Sequence, residues 1–176
     1  MSETKHKVFI SYHHNDQKEV EDFIKKFEDE NNVFIYRALG IGMNQDIIDS
    51  NDTDYVMRRI RELYLKDSTV TIVMIGKCTW TRRYVDWELQ SSLQNGETVI
   101  PNGLLGIKLH SYNNSGYPDR LNKNLKKNND DIDCYARVIN YPENKDILKF
   151  YIEDAFLARS KRENLIVNPR YNKSCG

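Results

Sequence analysis

The run Thr69-Val70-Thr71-Ile72-Val73-Met74-Ile75 carries no charge and is β-branched or apolar throughout. Such a strand needs cover on both faces, which is the situation of a central strand in a parallel sheet. Four weaker runs accompany it. They are Val8-Phe9-Ile10-Ser11-Tyr12, Val33-Phe34-Ile35-Tyr36, Thr98-Val99-Ile100-Pro101 with Leu104 to Leu109 as one interrupted strand, and Tyr135-Ala136-Arg137-Val138-Ile139-Asn140. Segments of helical period lie between them. Asp16 with Glu19 opens a helix bearing Val20, Phe23, Ile24 and Phe27. Thr53 caps a second, with Val56, Ile60 and Leu63, and Arg37 to Asp52 before it is a loop. Thr79-Trp80-Thr81 leads into a third, with Val85, Leu89 and Leu93, and a last helix carries Ile147, Leu148, Tyr151, Ile152, Ala155 and Phe156. Five alternations of strand and helix predict an α/β, three-layer, flavodoxin-like fold around a central five-stranded parallel sheet. Ligands in such folds sit outside the carboxyl ends of the strands.

Composition narrows the function classes. The 176 residues include 26 basic and 26 acidic side chains, so no net field draws the chain to nucleic acid or to a membrane. Balanced charge favours self-association. Cys78, Cys134 and Cys175 are widely spaced and odd in number, which argues against a disulfide framework or a zinc site and for a reducing cytoplasm. The polar N-terminal residues hold no apolar signal region, and no run approaches the length of a membrane span. Residues 1–165 are expected to form a single domain, with 110–134 a surface excursion containing one short helix and 166–176 a flexible tail.

The familiar chemical sites fail on their spacing. Gly40-Ile41-Gly42 follows the second strand and meets Gln45 where a third glycine belongs, so it is not a dinucleotide fingerprint. His13-His14 lacks a completing ligand set, and adjacent residues at a strand end point apart, so no metal is expected. The third strand ends in Ile75-Gly76-Lys77 without the aspartate of a phospho-acceptor domain, and no GxSxG elbow is present. Glu88 remains. It borders the Val85–Leu89 stripe near a helix start, flanked by Tyr84 and Trp87. By pattern alone it is either a partly desolvated carboxylate at the sheet edge or an ordinary surface glutamate.

Val8-Phe9-Ile10-Ser11-Tyr12 followed by Asn15-Asp16, and Ser68 to Gly76 followed by Arg82-Arg83-Tyr84-Val85-Asp86-Trp87-Glu88-Leu89, together resemble the TIR domain family. Within it, the closest likeness is to the divergent TIR-like group of Thoeris anti-phage defence systems. The resemblance organises residues 6 to 110. It implies an enzyme that takes NAD as substrate, without a separate cofactor, and breaks the nicotinamide–ribose bond to give ADP-ribose or a cyclic or conjugated form. Glu88 takes the catalytic place and Tyr84 the aromatic one four residues before it. It further implies that Ser11, Tyr12 and His13 line the pocket, that Leu39 and Gly40 belong to the loop after the second strand, and that Tyr84 and Trp87 stack on nicotinamide or adenine. Tyr12 and Tyr84 read equally well as core-edge residues, and Arg82-Arg83 either meets the pyrophosphate or is a solvated helix end. The implied partners are a homo-oligomer, a phage-derived trigger protein and a separate effector reached through the nucleotide product. Two other functions stay open: a non-catalytic TIR adaptor module, and a nucleoside deoxyribosyltransferase-like enzyme with Glu88 as nucleophile.

Overall fold

The computed structural model describes residues 4–37, 45–125 and 133–170. Five parallel strands, β1 (Lys7–Ser11), β2 (Ile35–Tyr36), β3 (Val70–Ile75), β4 (Gly103–Lys108) and β5 (Arg137–Ile139), form one sheet in the order β2-β1-β3-β4-β5. The fold is thus the expected α/β, flavodoxin-like one. Between the strands run α1 (Gln17–Ile24), α2 (Gln45–Asp49), α3 (Thr53–Ile60), α4 (Arg83–Ser92), α5 (Asp119–Lys123) and α6 (Lys145–Lys161), with α1 and α3 continuing as wider π turns over Lys25–Glu30 and Arg61–Leu65. No helix of the described residues is long and apolar enough to cross a membrane.

Strand alternation assigns the faces. Val8, Ile10, Val70, Ile72 and Met74 pack with Val20, Phe23 and Phe27 of the first helical segment and Leu148, Ile152 and Ala155 of α6. Val73 and Ile75 face the other way, onto Val85 and Leu89 of α4. Phe9 joins Val56, Met57 and Ile60 of α3 together with Trp87. β3 is buried at every position, as its composition requires. Strand order reverses between β1 and β3, which pair from Val8↔Val70 to Ser11↔Val73, so the carboxyl ends of these two strands bound the switch-point crevice.

Several local expectations need correction. Thr98–Pro101 is not part of β4, and Ile100 is exposed. Asp16 makes no cap bond; instead the His13 ring accepts the Asn15 N–H and opens a single 3-10 turn, His14–Asp16, ahead of α1. Asp52, not Thr53, caps α3, accepting from Asp54 and Tyr55. α2 interrupts the supposed loop from Arg37 to Asp52, anchored by buried Ile47. The 110–134 stretch is no mere surface excursion, since Arg120, Leu121 and Asn124 are buried. The segment from 166 is held as far as Pro169: Asn124 exchanges two hydrogen bonds with Val167, and Arg120 donates to Asn168 and Pro169. Residues 126–132 and 171–176 lie outside the described ones.

The contact of α6 with the sheet depends on Gly103, where a Cβ would overlap the Ala155 carbonyl. Backbone cannot step aside as a flexible side chain does, so overpacking here reaches the upper end of its usual range. Gly103→Ala should therefore destabilise the fold by about 3 kcal/mol. In a thermal melt this appears as a fall of roughly 6–12 °C.

Candidate functional site

The site is built around α4. Its approach is fixed by Thr79, whose hydroxyl accepts the Gly76 N–H at 2.9 Å just after β3. The Asp16 carboxylate reaches across from the start of α1 to Thr79 and lies where a Cβ on Gly76 would stand. The loop after β1 and the loop after β3 are thereby knitted together. α4 then runs under the sheet, held from three directions. Ser92 Oγ meets Thr71 Oγ1 of β3 at 2.8 Å and donates to the Glu88 carbonyl. Ser91 Oγ donates to Met57 of α3 at 2.9 Å. Asp86 takes both Nε and Nη2 of Arg120, a wholly buried side chain that also reaches Gln90. Paired hydrogen bonds of this fork type fix orientation as well as distance.

Glu88 projects from this helix toward the carboxyl end of β1. As a residue it is half-buried, and protein crowds its carboxyl. That burial pushes its carboxyl from the ordinary 4.5 up to about 8, partly offset by the hydroxyl of Ser11. Ser11 lies on the same sheet face as Phe9, the α4 side, and is fully buried. Its hydroxyl stands close enough to favour the charged carboxylate yet outside regular hydrogen-bond geometry, and it has no other partner among the described residues. Tyr12 is half-buried at the core edge on the opposite face. Its phenol is raised by burial and by the charges of Glu21 and Glu88. His13 is buried, and burial together with Arg82 and His14 lowers its pKa.

The two expected stacking residues differ in exposure. Trp87 does not offer a stacking face to a ligand, because it is buried in the α3 cluster with Phe9 and Met57. Tyr84 is exposed, 5.5 Å from the Trp87 ring, with the Arg83 guanidinium over both. His13 and His14 do not point apart either: their rings stack at 4.4 Å, since they leave the strand into a tight turn. Leu39 and Gly40 lie outside the described residues. Tyr36 is the residue that reading the sequence missed. It ends β2 and is raised to about 12, first by burial, then by the charges of Tyr12, Glu21 and Glu88. The rule that ligands gather at strand carboxyl ends was sufficient to find it. Among the described residues no three His, Cys, Asp or Glu side chains gather as a metal site would require.

A larger hollow, about 660 Å³, opens at the other end of the sheet beside Lys5, His6 and Phe150. It contains none of the candidate residues. Chemistry therefore favours the carboxyl ends of β1 and β3, where Glu88 stands, over this hollow.

Over residues 9–114 the chain matches the family model described as the Thoeris protein ThsB, TIR-like domain. The match runs from β1 past β4, takes in more than half of the chain and includes Ser11, Tyr12, His13 and Glu88. A comparison with curated proteins finds no match.

Burial of Glu88 has a stability consequence. In the unfolded chain the carboxyl ionises near 4.5; in the fold it holds its proton to about 8. Unfolding between these values releases a proton, so the site's contribution to stability is full below 4.5 and is lost as pH rises through 8. Glu88→Gln removes that dependence. Its melting temperature should equal the parent's near pH 4.5, rise above it through neutrality and hold a constant lead beyond pH 8. A gap that does not change with pH would show that Glu88 is solvated.

Proposed function

The chain belongs to the family of Thoeris ThsB TIR-like domains, and we propose that it cleaves the bond between nicotinamide and ribose in NAD with Glu88 as the catalytic carboxylate. The observation that carries this reading is a crowded carboxyl on a half-buried residue at the β1/β3 switch point, raised to about 8, with a buried hydroxyl facing it. In the cleavage the C1–N bond breaks, its electron pair leaves with nicotinamide, and the ribose takes on oxocarbenium character. A hydroxyl of water or of the substrate itself then attacks C1 and releases its proton. A fixed carboxylate near the ribose stabilises the cationic transition state more than the ground state. The Ser11 hydroxyl supports ionisation of Glu88 and is suited to a ribose hydroxyl. Tyr12 and Tyr36 provide a half-apolar wall that keeps the local dielectric low.

A protonated Glu88 is the resting form at neutral pH, and the positive nicotinamide ring favours its ionisation when NAD binds. In the family setting the product is a cyclic or conjugated ADP-ribose that acts as a signal for a separate effector. A phage-derived trigger and self-assembly of the chain are the partners this role calls for.

Purified protein is to be incubated with NAD and nicotinamide release followed by chromatography, with trigger-containing extract added in a parallel series. Glu88→Gln should lose about 10²–10³ in kcat, the usual effect of removing one electrostatic stabiliser. For the parent, kcat/KM should rise with pH and level off above an apparent value near 8, because that ratio reports ionisation in the free enzyme. Equal turnover by parent and variant would remove Glu88 from the chemistry. A trapped glycosyl adduct on Glu88 from a deoxynucleoside would point to deoxyribosyl transfer instead.

A further inference from the structure

The helix that carries Glu88 is gripped on its far face by parts of the chain that come much later in sequence. At about 100° per residue, Asp86 and Gln90, one turn apart, share a face of α4, and Glu88 between them is turned about 160° from both. Arg120 spans that face. Its Nε donates to Asp86 Oδ1 at 2.9 Å, and its Nη2 donates to Asp86 Oδ2 at 3.1 Å and to Gln90 Oε1 at 3.3 Å. Its Nη1 donates to the Asn168 side-chain carbonyl at 2.8 Å and to the Pro169 carbonyl. Asn168 closes the circuit, its Nδ2 donating to the main-chain carbonyl of Gln90 at 3.1 Å.

Arg120 is wholly buried and Gln90 nearly so, while the Asp86 side chain is 26% exposed. Stability alone does not call for such a pair. Burying ions costs desolvation, and apolar side chains of similar volume often hold a fold as well or better. A fork that reaches two successive turns supplies what apolar contacts lack, a fixed rotation of the helix about its axis. Asn124 ties the gripping parts to each other: its Nδ2 donates to the Arg120 and Val167 carbonyls, and its Oδ1 accepts the Val167 N–H at 2.9 Å. α5 and residues 167–169 therefore act on α4 as one body. Both lie beyond residue 114, where the family match ends.

We propose that Arg120 is a positioning residue for the cleavage: together with Asn168 it fixes the rotation of α4, and so the place of the Glu88 carboxyl at the end of β1. The role in cleavage rests on the NAD reading above; the hold on Glu88 does not. The helix works as a lever. A side-chain end lies about 5–6 Å from the axis, so a rotation of about 10° carries it about 1 Å. Misplacement on that scale is costly to a reaction that depends on a fixed charge. Its direction is set by the surroundings. Glu88 sits where burial opposes its charge, so a loosened α4 relaxes it toward water.

In the full chain, the Glu88 carboxyl is followed by carbon NMR as pH rises, its resonance assigned from its absence in Glu88→Gln, and NAD turnover is measured alongside. Tyr12 and Tyr36 keep their protons between 4.5 and 8, so the titration reads Glu88 itself. Arg120→Lys keeps the charge and loses the fork. Asn168→Ala removes only the outer contacts, at a partly exposed residue, and decides the matter should the buried variant fail to fold. Arg162→Lys breaks a similar fork onto Asp154 of α6 and controls for general weakening. Arg120→Lys should lower the Glu88 titration by about one pH unit or more toward 4.5, and cut kcat about tenfold with KM within about twofold. Asn168→Ala should move both the same way, kcat by about threefold. Arg162→Lys should move neither. An unchanged Glu88 titration in either folded variant, an unchanged kcat in an active protein, the same changes in Arg162→Lys, or a parent Glu88 that already titrates near 4.5 would each overturn the proposal. Should the parent cleave NAD while neither variant moves Glu88, the positioning fails and the enzymatic reading stands. Should both variants move Glu88 in a protein that never cleaves NAD, the reverse holds.

Discussion

The hydrogen bonds that pin α4 are the constraint on which the site depends. An apolar stripe alone, Val85 and Leu89, would leave the helix free to slide and rotate by a fraction of a turn. Thr71–Ser92, Ser91–Met57 and Asp86–Arg120 each fix one direction of that freedom. The Thr71 hydroxyl is itself engaged by Asn102, which also bonds Ser68 and whose carbonyl receives the Tyr135 hydroxyl. A polar thread therefore runs from β5's approach through β3 to the carbonyl of Glu88. Buried networks of this kind stabilise only when every member is satisfied, and in return they specify one geometry. Electrostatic catalysis needs that rigidity, since a group that must reorganise loses most of its advantage.

The same rigidity allows a carboxylate to be held in an unfavourable place. Glu88 is crowded by protein, faced by a hydroxyl that does not fully engage it, and near two phenols that ionise only with difficulty. Ser11 and His13 add two buried polar atoms without partners. Buried polar atoms without partners occur also at Arg37, Arg61, Ser111 and Arg162, so it is their company with a strongly raised carboxyl that marks this sheet edge as the candidate site. They oppose folding locally and are tolerated because β1, β3 and α4 are over-determined by their packing.

The sheet was legible because strand burial is written in local composition: the stretch Val70–Ile75 admits few other fates. The stripe of Val85 and Leu89 set Glu88 at its border but left a surface glutamate equally open; only the resemblance to the TIR family singled it out. Trp87 was not legible, because its burial depends on α3, and no local pattern tells which side of α4 that helix will cover. Asp86 was passed over for the same reason, as its partner Arg120 lies 34 positions away. Arg120 in turn sits in a polar, aperiodic stretch that reads as surface. The short α2 and the His13 cap were hidden by the opposite difficulty. They turn on one or two residues, Ile47 and a ring nitrogen, too few to make a period. Thr98–Ile100 has strand composition but no neighbour to pair with.

Arg120 also joins parts of the chain that are otherwise remote. Two of its nitrogens grip Asp86, two positions from Glu88, while a third holds Asn168 and Pro169, and Asn168 returns a bond to Gln90. The stretch beyond α6 is in this way a handle wired to α4 through one guanidinium and one amide. Load applied there by any neighbour or fusion would be felt at Asp86 and Gln90, each two positions from the carboxylate.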